Sequence, residues 1–144
     1  MDDRSTQRLQ LFLRVYGTFS LTLFSMLLLG FVVEWPMIDE GAALHWMIWD
    51  RVTHHVAPML FGIYIVWAVY LLRAARRPAA YSSFLDFTLW ANLAHVLVMV
   101  PMALRDPMYH SKFLTDIPFL LLLCGALAAW RSSRGTLETA HAGE

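Results

Sequence analysis

The chain has 144 residues, of which 58% are apolar, 14% aromatic and only 15% charged. That is room for one domain and more apolar surface than a soluble domain of this size buries, so the surplus faces lipid. Eleven basic residues balance eleven acidic ones, and the charges fall between long apolar runs, so no field is present to attract nucleic acid, which is excluded as a partner.

The first apolar run covers 10–33 and is preceded by Arg4 and Arg8, with Arg14 just inside it. A secretory signal has an apolar core of roughly 7 to 15 residues and a small-residue cleavage site. This run is longer and ends in Glu34-Trp35-Pro36, so it reads as a retained transmembrane helix. In the following loop, 34–53, Leu44, Met47 and Ile48 recur at helical spacing beside Trp46 and Trp49. Tryptophan settles at the headgroup level, where its ring is apolar and its N–H is wet, so a short interfacial helix is expected there.

The second helix, 54–76, ends in Arg73-Ala74-Ala75-Arg76-Arg77-Pro78. Cations favour the negative C-terminal end of the helix dipole, and Pro78 stops propagation. The third apolar run, 83–104, is about as long as the roughly 20 residues a hydrocarbon core requires. The fourth, 115–131, opens on Thr115-Asp116-Ile117-Pro118, a cap followed by a proline in the first turn, and closes on Arg131, whose long side chain can snorkel. Cys124 lies inside that run and is the single cysteine, so an intrachain disulfide is excluded. The small, polar tail 135–144 is expected to be disordered.

The predicted fold is therefore all-α, a four-transmembrane-helix bundle over 1–134 with a short interfacial helix between helices 1 and 2. With the N-terminus inside, eight of the eleven basic residues, Arg4, Arg8, Arg14, Arg73, Arg76, Arg77, Arg131 and Arg134, lie on the cytoplasmic side. Arg51, Arg105 and Lys112 remain outside with most of the acidic residues, so both termini are expected in the cytoplasm.

Four positions on the third helix carry the most information about function. Thr88, Asn92, His95 and Met99 are spaced by four, three and four residues and so share one face. His95 stands about 18 Å along the helix, near the bilayer midplane. An ionisable side chain there is costly and is expected to face the bundle interior, which makes this polar stripe a candidate ligand-binding surface. The structural alternative has Asn92 and His95 hydrogen-bonding to Tyr16, Ser20, Thr22, Ser25 or Tyr64 as interhelical glue.

A second group lies on the outer side, where His45, His54, His55 and His110 fall together with Met47, Met59 and Met108. Imidazole and thioether suit copper, and imidazole with carboxylate suits zinc. The spacing does not favour a site, because adjacent His54 and His55 point about 100° apart on a helix. Haem is disfavoured too, since two axial histidines need matching depth on facing helices. No bound cofactor is the expectation, with copper, zinc and haem as the alternatives. Asp116 reads as a helix cap or a further site residue, and Asp86 as a partner for Arg73, Arg76 or Arg77. Nucleophile motifs, phosphate-cradling glycine loops and paired buried carboxylates are missing from the sequence, which argues against an enzyme.

Gly62-Ile63-Tyr64, Leu71-Leu72, Pro78, Phe87, Trp90, Leu93-Ala94-His95 with Met99, Ala103, His110 and Asp116 together resemble a bacterial family of small four-helix membrane proteins known only as a domain of unknown function. A looser likeness, in size and helix count, is to the DoxX-like membrane proteins. The resemblance implies a bacterial inner-membrane protein of four helices and assigns no activity. The leading functional expectation is a non-enzymatic binding or accessory subunit, with the bilayer and a larger membrane complex or a homo-oligomer as partners. The alternatives are a redox or metal-handling component and a small oligomeric transporter.

Overall fold

The computed structural model describes residues 3–38, 42, 44, 47 and 56–141, and the side chains of all of these except 3, 108 and 134–141. Among the described residues every regular element is helical, with α1 over Asp3–Val32, α2 over Val56–Ala74, α3 over Ser82–Arg105 and α4 over Asp116–His141. Short 3-10 segments at Pro36–Ile38, Pro78–Tyr81 and Pro107–Phe113 each begin on a proline, whose fixed φ suits the first turn of a helix. Four stretches, Arg4–Val32, Val56–Ala74, Pro78–Arg105 and Tyr109–Ser133, are long and apolar enough to cross a membrane. Their large apolar side chains are exposed in quantity, Phe87 at 67%, Leu97 at 66% and Leu11 at 64% among them. In water such surface would be an association liability; in a bilayer it is the face that meets lipid.

Two helices run past the apolar limits read from the sequence. The polar residues before Gln10 continue α1 back to Asp3, since neither proline nor glycine interrupts them. The segment expected to be an irregular tail is helical as far as His141. Most of the expected interfacial helix, including Trp46, Ile48 and Trp49, lies outside the described residues.

Two compact units divide the chain, one formed by 14–73 and the other by 1–13 with 74–144. The first is the hairpin of α1 and α2, and aromatic rings fill it. Phe24 stacks on Tyr64 at 4.7 Å between centroids and on Phe61 at 6.1 Å. Phe31 lies 5.9 Å from Phe61, and Trp67 meets Tyr64 and Tyr16 edge-on at 6.2 and 6.3 Å. Offset and edge-on pairs at these spacings each add about 0.5–1.5 kcal/mol beyond the area they bury. Leu27, Ala57 and Phe61 form the buried centre of the hairpin, with Met47 packed against it. Gly17 lets the helices approach, because a Cβ there would sit 3.0 Å from Leu72 Cδ2 and 3.5 Å from Leu71 Cβ. Ser20, fully buried, has no hydrogen-bond partner for its hydroxyl among the described residues.

The end of α1 is a Schellman motif. The Trp35 N–H donates to the Gly30 carbonyl at 2.9 Å and the Glu34 N–H to the Phe31 carbonyl at 3.4 Å, which satisfies carbonyls a helix end leaves open. Gly30 leaves room for the Trp35 ring, which would stand 3.3 Å from a Cβ. The motif requires a left-handed residue, and Glu34 takes it at φ 50°. Glycine occupies that region without the Cβ penalty, so Glu34→Gly should stabilise the protein by about 0.5–1 kcal/mol, read as a higher midpoint of denaturation in detergent; an unchanged or lowered midpoint would show that the glutamate contributes something beyond its backbone.

In the second unit α3 packs antiparallel against α4, the Cys124 thiol donating to the Leu89 carbonyl at 3.6 Å. The buried side of α3 is Leu85, Thr88, Leu89, Asn92, Val96, Met99 and Ala103, which recur at three- and four-residue spacing with Thr88 and Leu89 adjacent, as one broad face of a helix demands. Leu123, Leu127 and Ile117 are the matching buried residues of α4.

Candidate functional site

The polar stripe read on the third helix divides in the structure. Thr88, Asn92 and Met99 are buried, whereas His95 is exposed. A step of 100° per residue leaves positions 95 and 96 on opposite shoulders of the line through Asn92 and Met99, and packing selects Val96 as the inward one. The expectation that His95 faces the interior is corrected accordingly. Asn92 makes no use of its amide across helices in the bond it forms: Nδ2 donates to the Thr88 carbonyl of its own helix at 2.7 Å. That bond gives the buried amide a local partner on its own helix.

Around His95 the surface of α3 is apolar. Trp90 is 59% exposed, Leu97 66% and Val98 61%, with Ala91 and Ala94 exposed between them. His95 is therefore a titratable group on the exposed side of α3, within a membrane-spanning stretch. The Asp116 carboxylate is within electrostatic range of it.

Asp116, the first residue of α4, pairs with Lys112 at 2.9 Å. The pair joins the 3-10 segment Pro107–Phe113 to the helix that follows, and the Thr115 hydroxyl donates to the Ser111 carbonyl at 3.1 Å across the same corner. The lysine side chain is 3% exposed and the aspartate side chain 38%. A cation so buried is costly unless compensated, so Asp116 holds the corner electrostatically as well as starting the helix. Sequence reading counted Lys112 as an ordinary outer charge; its spacing of four from Asp116 was the available signal.

Asp86 pairs with Arg131 at 3.1 Å, in place of the expected Arg73, Arg76 or Arg77. The antiparallel register that sets Cys124 beside Leu89 also brings the N-terminal part of α3 and the C-terminal part of α4 together. Arg73 lies over the Tyr70 ring at 5.5 Å. Tyr64 sits in the aromatic stack of the α1–α2 hairpin. Of the histidines considered as metal ligands, His45, His54 and His55 lie outside the described residues, and His110 is exposed in the segment before α4. Among the described residues no three His, Cys, Asp or Glu side chains converge on a point where they would hold a metal ion.

Comparison with known proteins gives a family and no activity. No curated protein and no solved structure matches the chain. A family model described as a family of unknown function (DUF6632) matches residues 5–141. Since that match takes in all four apolar helices, the chain belongs to this family of unknown function.

Proposed function

We propose that the protein is a non-enzymatic accessory subunit of the bacterial inner membrane that docks on another membrane protein through the outer surface of α3 around His95. The observation that carries this reading is the exposure of His95 in mid-span, flanked by Trp90, Ala94, Leu97 and Val98. Hydrocarbon offers an imidazole neither donor nor acceptor, so ionisable groups at this depth are covered by protein or by a polar group. Exposed alanines beside it allow a partner helix to approach closely. Eight of eleven basic residues at one end of the spans support a cytoplasmic position for both termini.

His95→Leu tests the docking role. The substitution removes the polar group from an exposed position, so the variant should insert and fold as the parent does while co-purification of its membrane partner, or the self-associated species, falls by about threefold to eighteenfold, the loss expected of one intramembrane contact of about 0.6–1.7 kcal/mol. Association unchanged in His95→Leu, measured by native mass spectrometry after mild solubilisation, would refute the docking role.

A further inference from the structure

The turn between α2 and α3 carries a second surface with a chemistry of its own. Arg76 and Arg77 fall in the gap between the span that ends at Ala74 and the span that begins at Pro78, the level at which hydrocarbon gives way to headgroups. Both are exposed, and so is Arg8 of α1. The Gln10 amide donates to the Arg76 carbonyl at 3.5 Å, which brings the first part of α1 to this turn. Among the described residues the ion pairs are Lys112 with Asp116 and Arg131 with Asp86, so Arg8, Arg76 and Arg77 have no carboxylate among them.

The backbone that presents the two turn arginines is fixed. Ala74 and Ala75 are fully buried and Pro78 is buried. The Arg77 N–H donates to the Ala74 carbonyl at 3.1 Å and the Ala80 N–H to the Arg77 carbonyl at 3.0 Å. With the turn backbone already ordered, Arg76 and Arg77 lose no backbone freedom when they meet an anion, and each offers the planar fork that matches phosphate oxygens. One turn deeper than Arg8 on the same helix, Leu11 is 64% exposed. Cations at the rim with apolar surface beneath them match a molecule with an anionic head and a hydrocarbon tail.

We propose that Arg76 and Arg77 form a binding site for the phosphodiester headgroup of an acidic phospholipid, with Arg8 of α1 adding positive charge at the same level. Occupant and site complement each other in charge and in depth, and a free inorganic anion would leave Leu11 uncovered. The site is independent of the surface around His95 and of the direction in which the helices cross the bilayer.

Native mass spectrometry of the full chain, released from nanodiscs of phosphatidylcholine with a minority of phosphatidylglycerol, measures it. The parent should retain phosphatidylglycerol adducts above their share of the bilayer. Arg76→Gln and Arg77→Gln should each lower that retention about fivefold, the effect of one arginine near an anionic surface, and leave phosphatidylcholine adducts unchanged. Arg105→Gln removes one charge from the opposite end of α3 and should leave retention as it is. Equal loss in Arg105→Gln, or no loss in the turn variants, would overturn the site. Displacement of the lipid by inorganic phosphate would overturn the lipid as its occupant.

Discussion

Asp116→Asn should be the most damaging single polar substitution in the described chain. It leaves the Lys112 ammonium, whose side chain is 3% exposed, without its carboxylate. Breaking a fully buried ion pair costs about 3–5 kcal/mol because the surviving charge stays desolvated. The aspartate here is 38% exposed, so solvent screens part of the pair and the expected loss is about 2–3 kcal/mol. Lys112→Met should cost less, since methionine fills the lysine's buried volume with no charge to compensate. In the double variant the asparagine substitution should add little to the cost of methionine alone. A double-mutant cycle by denaturant titration in detergent measures the coupling; additive losses would show that the two residues act independently and that the corner is held by its backbone.

Gly17→Val should separate α1 from α2. The first added carbon meets Leu72 at 3.0 Å and Leu71 at 3.5 Å, and the two further methyl groups have to displace a wall that includes the fully buried Leu71. Overpacking of this kind costs about 1–3 kcal/mol. Close approach of backbones is the main source of helix association in a membrane, where burial of apolar surface from lipid contributes little. Gly125 is the natural control, because a Cβ there meets nothing within 4 Å, and Gly125→Val should change stability by about 0.5 kcal/mol or less. Equal destabilisation by both substitutions, followed by the same denaturation midpoint, would show that contact with Leu72 and Leu71 is not what requires glycine at position 17.

The four helices were legible in the sequence because the bilayer imposes a simple condition: each crossing needs a long run in which nearly every residue is apolar, and this chain has four. The stops were legible for the same reason, in Glu34-Trp35-Pro36 and in Arg76-Arg77-Pro78. What each polar residue touches was not, because partners are set by tertiary register. Asp86 had four arginines within plausible reach, and only the antiparallel alignment of α3 and α4 selects Arg131. Burial of Lys112 depends on how the segment Pro107–Phe113 folds over the helix ends, which no periodicity encodes. His95 shows the resolution limit of helical spacing: one position separates it from Val96, and the sequence favoured the histidine as the inward residue where packing chose the valine. That difference moves the polar group from the interior to the outer surface of α3, and with it the functional reading from a ligand held inside to a partner met outside.

Crosslinking in intact membranes addresses that reading directly. With a photoreactive side chain at Ala94, exposed beside His95, irradiation should join the chain to a discrete membrane protein or to a second copy of itself, and the yield of that product should fall at least about threefold when His95→Leu is combined with the probe. A probe at Ala94 that reacts with lipid alone, or yields the same protein adduct with and without His95, would contradict a docking surface on α3.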